Sequence, residues 1–482
     1  MRRAGSRYGV TRTTFSRRRF LQAAGAASAG GLMARSAKQG LAAPAVVETS
    51  PNFLFIICDQ LGLDAIAAHG CEYVETPNLD RLVAGGTTFI ESHSTNPVCS
   101  PARSSLMTGR MPVETGVITN GRPIHPSCPT IGQCLSANGY ETAYCGKWHL
   151  PGPVPKPQDG FRILPARGGL ADHDDCCISH TCEAFLKNRV NTKTPFLLVA
   201  SFLQPHDICY WGNHAGERMP ETLPYPELAE TELPPLPPNL RVRPEAPAKL
   251  AARFVEYSDI MWRYYLYVYS RMIEMLDADV GRLLDTLEST GLDKNTVVVF
   301  TSDHGDGRGR HSHVAKWYPY EEAVKVPLVV AWKDHIAADH RDTKHLVSGV
   351  DIVPTLCDYA GVAAPPHARG RSLRPLAEGG NTPWREFVYF EVMQTGRVIR
   401  SDRWKYVRFS DDPIEQLFDM REDPWETKNL YQDPQYADVL ADHRRMLDDY
   451  TASLRPVEPT VSVEKPAKRP KKTPPKSRPA RR

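Results

Sequence analysis

The chain is expected to fold as an α/β protein: a large mixed, mostly parallel sheet sandwiched by helices, with a small antiparallel sheet as a C-terminal subdomain. Three observations predict this. Four short apolar runs, Phe53–Cys58, Phe196–Phe202, Thr296–Thr301 and Pro327–Ala331, have the length and unbroken apolarity of parallel strands buried on both faces. Helical patterns lie between them, so helices should cover both sides of the sheet. After about residue 385 the pattern changes to strand-like runs at 387–389, 397–400, 405–409 and 416–419, with turns between them.

In chain order, the N-terminus reads as an address. Residues 1–45 carry nine Lys/Arg and no Asp or Glu. Ser16-Arg17-Arg18-Arg19-Phe20-Leu21-Gln22 resembles a twin-arginine export signal, and Ala43-Pro44-Ala45 offers a small-residue cleavage site. Residues 46–384 are expected to form the catalytic domain. Within it, Leu79–Ala84 and Thr130–Asn138 read as helices. The clearest helix is Tyr264–Thr290, where Leu266, Ser270, Ile273, Leu276, Val280, Leu283 and Leu287 recur at three- and four-residue steps. Residues 207–252 are Pro-rich and read as an irregular loop over the strand ends. Residues 385–454 form the C-terminal α+β subdomain. Residues 455–482, with seven prolines and ten Lys/Arg, read as a disordered basic tail.

Charge divides in the same way. Between the basic ends, residues 46–454 hold 40 basic and 54 acidic residues, a balance that argues against nucleic-acid binding by the body. No stretch of 18 apolar residues occurs, so no transmembrane segment is expected. The eleven cysteines are an odd number in a large chain, which is not a disulfide scaffold. His173, Cys176, Cys177, His180 and Cys182 crowd together like metal ligands, but Ile178, Cys182 and Phe185 share a helical face. Buried or disulfide-bonded cysteine is favoured over zinc.

Asp59, His206, Asp303 and His304 each lie just past a strand end, where ligands of open α/β sheets bind. The segment Cys99-Ser100-Pro101-Ala102-Arg103-Ser104-Ser105-Leu106-Met107-Thr108-Gly109 contains C-x-P-x-R followed by L-x-T-G. With it the chain closely resembles the type I sulfatases of the alkaline-phosphatase superfamily, over roughly residues 50–435. The resemblance implies that Cys99 is oxidised to formylglycine by a formylglycine-generating enzyme that reads the Pro and Arg. One hydroxyl of the hydrated aldehyde attacks sulfur, and the other later expels sulfate. A sulfate monoester is anionic and repels nucleophiles, so such chemistry needs an activated nucleophile and neutralised charge.

The resemblance further implies one divalent metal, most often calcium, held by Asp59, Gln60, residue 99, Asp303 and His304. Gln60 stands where many relatives carry a second Asp, and His304 where many carry Asn. Whether His304 ligates the metal or contacts substrate is left open. Lys147 and His149 in Gly146-Lys147-Trp148-His149 match the family's sulfate-binding lysine and the base for the diol. His206 in Gln204-Pro205-His206 matches the histidine that contacts sulfate or protonates the leaving oxygen. Lys316 matches a further sulfate-binding lysine, and Arg103 is expected to pair with the diol. His125, Arg122, His173 and His214 are candidates for the leaving-group pocket. The implied protein is an exported, periplasmic or extracellular sulfatase for a sulfated small molecule or glycan, carried by the twin-arginine translocase. Two alternatives stay open: a phosphodiesterase or phosphonate monoester hydrolase on the same scaffold, and a non-catalytic sulfated-glycan-binding protein.

Overall fold

A computed structural model of the chain describes residues 50–151, 155–156, 159–166, 171–211 and 233–460, with the side chains of 172–173 excepted. The segment expected to be an export signal, its expected cleavage site, His214 and residues 461–482 lie outside the described residues. So do residues 212–232 of the Pro-rich loop. Among the described residues no helix is long and apolar enough to cross a membrane.

The central sheet has eight strands. They are β1 (Asn52–Asp59), β2 (Thr87–Phe89), β4 (Glu141–Gly146), β5 (Arg162–Ile163), β6 (Phe196–Pro205), β7 (Thr296–Ser302), β8 (Leu328–Ala331) and β9 (His340–Asp342). A two-stranded pair joins β3 (Ser92–His93) to β10 (Val347–Ser348). The spatial order is β5-β4-β6-β1-β7-β8-β2-β9. The first five are parallel, with Phe55 of β1 opposite Val199 of β6 and Val299 of β7. β8 runs antiparallel to β7, against the expectation of a parallel strand. Between Ser302 and Leu328 the only α-helix is the four-residue turn Glu321–Val324, too short for a crossover. The chain therefore re-enters the sheet from the end at which it left.

Alternation along β1 explains the sandwich. Leu54, Ile56 and Cys58 face one apolar core, shared with helices Ala171–Lys187 and Asp259–Thr290. Phe53, Phe55 and Ile57 face the other, shared with Leu106, Ile131, Leu135 and Leu356 of three further helices. The expected helices appear with recognisable ends. Thr130 caps Ile131–Ala137 through a capping box with Gln133. Ser258 caps Asp259–Thr290, which stops at Gly291 in the left-handed region.

The C-terminal sheet is antiparallel as expected, in the order β11 (Phe387–Val392), β12 (Gly396–Ser401), β13 (Trp404–Phe409) and β14 (Gln416–Asp419). Helix Ala437–Ser453 packs Leu440 and Leu447 beside Tyr389, Ile399 and Tyr406 of this sheet. The tail does not leave the fold at residue 455. Arg455 N donates to Glu114 Oε1, and Val457 N donates to the Val113 carbonyl.

All eleven cysteines are unbonded, including Cys134 and Cys357 with sulfurs 3.9 Å apart. The cysteine-rich helix keeps Cys176 Sγ and His180 Nδ1 3.5 Å apart but puts Cys182 on another face. Ile178 and Cys182 are fully buried, whereas Cys176 and His180 are exposed on another face.

Candidate active site

The carboxyl ends of β1, β4, β6 and β7 deliver the reactive groups, and the helix Cys99–Thr108 brings the nucleophile to them. Cys99 opens that helix, its side chain at the positive end of the helix dipole. Its Sγ lies 3.0 Å from Lys316 Nζ, 3.2 Å from His304 Nε2, 3.7 Å from Asp59 Oδ1 and 3.9 Å from Lys147 Nζ. Burial and Asp59 push the thiol up. The pull of Lys147, Lys316 and His304 wins and holds it well below its ordinary value.

Arg103 sits one helical turn further on and is fully buried. Its Nε donates to Asp303 Oδ2 at 2.7 Å and its Nη2 to Asp59 Oδ2 at 3.0 Å. Its Nη1 reaches the Lys147 carbonyl at 2.9 Å and Ser201 Oγ at 2.8 Å. Arg103 therefore ties the ends of four strands together and pairs with carboxylates, not with residue 99 directly.

Lys147 follows β4 through Gly146, whose φ of 101° and close approach to the Ser201 carbonyl exclude a side chain. Its Nζ lies 2.6 Å from Asp59 Oδ2. Burial opposes ionisation of Asp59, yet Lys147, His206, Lys316 and Arg103 hold it well below the usual carboxylate range. Asp303 behaves oppositely. Burial and the neighbouring Asp59 push it up to about 6.

His206 Nε2 stands 4.0 Å from Asp59 Oδ1 at a partly open edge, and burial lowers its pKa. His149 adjoins the nucleophile through its carbonyl, which accepts from Ser100 Oγ at 2.6 Å, and its Nδ1 has no hydrogen-bond partner among the described residues.

Asp59, Cys99, Asp303 and His304 bring their ligand-type atoms within 4.8 Å of one another, all buried. His304 Nδ1 lies 2.9 Å from the Gly305 carbonyl, which fixes the ring so that Nε2 faces the cluster. Two buried carboxylates, an imidazole nitrogen and residue 99 form a donor set that fits a divalent cation. The Gln60 amide lies beside this cluster and bridges two neighbours. Its Oε1 accepts from Lys316 Nζ at 2.9 Å, and its Nε2 donates to Asp306 Oδ2 at 2.7 Å. Asp306 also accepts from Tyr265 Oη at 3.0 Å. Ser201, Asp306 and Tyr265 were not expected from the sequence. The available signals were a serine inside the apolar run of β6 and a second Asp in Thr301-Ser302-Asp303-His304-Gly305-Asp306.

Of the expected leaving-group residues, His125 is turned to Ser127 Oγ at 2.7 Å. Neither it nor Arg122 lines the cavity that adjoins Lys316.

Comparison with known proteins agrees with this arrangement. The sulfatase family model matches residues 51–362, and the C-terminal model of N-sulphoglucosamine sulphohydrolase matches residues 309–453. A Δ4,5-hexuronate-2-O-sulfatase of Bacteroides thetaiotaomicron is 31% identical over 85% of this chain and 90% of that protein. An N-acetylglucosamine-6-O-sulfatase of the same organism is 26% identical over 85% and 88%. The solved structure of a 2-O GAG sulfatase superposes with a TM-score of 0.74 at 29% identity, covering 85% of this chain and 95% of that one. The chain belongs to the sulfatase family: it is a sulfuric ester hydrolase with the alkaline-phosphatase-like fold.

Proposed function

We propose that the protein is an exported sulfatase that removes sulfate esters from a sulfated carbohydrate, with formylglycine at position 99 and one divalent metal, calcium by the hardness of its ligands. The observation that carries this reading is the convergence on one buried residue, Cys99, of Lys316, His304, Asp59 and Lys147 within 3.9 Å. The oxidised, hydrated side chain supplies a hydroxyl to attack sulfur and a second hydroxyl through which sulfate is later expelled. Asp59, Asp303, His304 and the oxygen of residue 99 would hold the metal, whose charge would offset that of the sulfate group.

The chain's own residues do the rest. Lys147 and Lys316 place two ammonium groups around residue 99, where the sulfate oxygens arrive. Arg103 keeps Asp59 and Asp303 oriented. His149 offers an unpartnered ring nitrogen to take the proton of the attacking hydroxyl. His206 stands at the open edge, 4.0 Å from Asp59, where it can give a proton to the departing sugar oxygen. The similarity to sulfatases named for hexuronate and N-acetylglucosamine sulfates supports a carbohydrate substrate. The N-terminal Arg-rich segment supports export to a periplasmic or extracellular location.

The test is release of inorganic sulfate from a panel of sulfated mono- and oligosaccharides, hexuronate 2-sulfates first. An aryl phosphodiester and a phosphonate monoester are run in parallel. Sulfate release from one or more sugars, faster than either phosphorus ester reacts, is expected. Faster turnover of a phosphorus ester with no sugar desulfated would overturn the reading.

A further inference from the structure

Two cavities meet beside the reactive centre. One, of about 440 Å³, is lined by Lys316, Cys209, Tyr257, Tyr265, Trp317 and Arg253, among others. The second, of about 650 Å³, runs toward the C-terminal sheet and is lined by Thr119, Lys249, Arg253, Trp317, Met393 and Gln394, among others. Each has the size of a small-molecule site. Arg253 and Trp317 line both, so they form the wall that the two share. At one end, Lys316 touches the sulfur of Cys99. Neither cavity is lined by an Asp or Glu among the described residues. The path carries the cations Lys316, Arg253 and Lys249 and no carboxylate of its own.

Arg253 is the distinctive member. Lys249 is already paired with Asp411. The guanidinium of Arg253 is exposed, lies 5.4 Å from the centre of the Trp317 ring, and has no carboxylate partner among the described residues. Its neighbour Arg243 stacks instead on Phe254 and pairs with Glu256. Trp317 is itself held in an unusual place. Its φ is 92°, costly for a bulky residue, and its N–H donates to the Pro97 carbonyl at 3.2 Å. That backbone turn sends Lys316 inward to Cys99 and leaves the next side chain in the cavity wall. A guanidinium laid over an indole keeps its planar fork oriented without using its hydrogen-bond donors.

We propose that Arg253, seated on Trp317, binds a second anionic group, a carboxylate or a further sulfate, of the saccharide whose reacting ester lies at Lys316. The assignment rests on the carbohydrate-sulfatase reading and narrows it to substrates carrying more than one negative charge. A planar oxyanion meets the arginine fork through two parallel hydrogen bonds, a geometry that lysine does not reproduce.

The test uses the full-length enzyme as wild type, Arg253→Gln and Arg253→Lys. 4-Nitrophenyl sulfate is the reporter, and sulfated sugars are competitors. The competitors are a hexuronate 2-sulfate, the same sugar with its carboxyl reduced to an alcohol, a hexosamine disulfate, and N-acetylglucosamine 6-sulfate. Arg253→Gln should weaken inhibition by a doubly anionic competitor roughly ten- to hundredfold. The KM for the reporter and inhibition by the two singly charged sugars should not change. Arg253→Lys should recover only part of the loss. The effect falls on the hexuronate if the group is a carboxylate, and on the disulfate if it is a sulfate. Equal inhibition of wild type and Arg253→Gln by every competitor would overturn the proposal, as would a parallel loss for the reporter. A charge-dependent effect at Arg253 with no sulfate released from any sugar would instead refute the carbohydrate substrate and leave the anion subsite standing.

Discussion

Replacing Arg103 by Met should destabilise the fold by about 3 kcal/mol at pH 8, the low end of the range for breaking a buried ion pair. The value follows from what each partner keeps. Asp59 retains Lys147 at 2.6 Å. The Lys147 carbonyl retains the hydroxyls of Ser201 and Tyr144. Asp303 fares worst. Its Oδ1 still accepts from the backbone N–H groups of Gln60 and His304, but Oδ2 loses the guanidinium at 2.7 Å. One buried carboxylate oxygen thus loses its cation, and Asp303 keeps only His304 Nε2, 3.6 Å from Oδ1. The penalty depends on pH with a definite sign. Asp303 sits at about 6, above its ordinary 3.8, even with Arg103 present. A raised carboxylate disfavours the folded state as pH climbs through that window, and protonation relieves it. The deficit should therefore shrink between pH 8 and pH 5. Urea unfolding of wild type and variant, followed by tryptophan fluorescence with chelator present, measures it at both values. A loss below about 1 kcal/mol, or one equal at the two pH values, would refute this account of the Arg103 pairs.

Other expectations follow from the same geometry. Lys316→Met should lower kcat by about 10²–10³, the scale for removing one charge-stabilising donor; a drop of less than about tenfold in steady-state assays would remove Lys316 from the reacting group. Asp303→Asn keeps the shape but removes a charged ligand, so titration of chelator-stripped protein should show weaker divalent-cation binding; unaltered affinity would move the metal elsewhere. A chain ending at Thr460 should unfold like the full chain. One ending at Leu454 should lose about 1 kcal/mol for each of the two backbone hydrogen bonds that Arg455 and Val457 make to residues 113–114. Identical urea midpoints would show that this contact contributes nothing.

The central strands were legible because β1, β6 and β7 are buried on both faces and must be apolar throughout. The direction of β8 was not, since periodicity carries no polarity; it is decided by the lack of a crossover helix between 302 and 328. β4 was missed because Glu141-Thr142-Ala143-Tyr144-Cys145-Gly146 hides its burial behind small and polar residues, although it lies inside the sheet. At the site, Cys99, Arg103, Lys147, Lys316, Asp59, Asp303 and His304 converge as the motif spacing implied. The partners do not follow from a linear reading. Arg103 was expected beside the diol of residue 99, and it also joins two carboxylates. Gln60 was expected on a metal, and its amide also bridges Lys316 and Asp306. Such pairings are set by which strand ends lie side by side, a property of the sheet order. Arg253 and Trp317 went unremarked for the same reason, since only the folded chain brings residue 253 over residue 317.

The central claim is that residue 99 works as formylglycine. The direct measurement is the mass of the tryptic peptide Leu82–Arg103 from enzyme co-expressed with a formylglycine-generating enzyme, across preparations of differing specific activity. The fraction of peptide that has lost sulfur and gained oxygen should rise in proportion to sulfate-ester turnover, with Cys99→Ala inactive. Full activity in protein whose residue 99 is an unmodified cysteine would contradict the account.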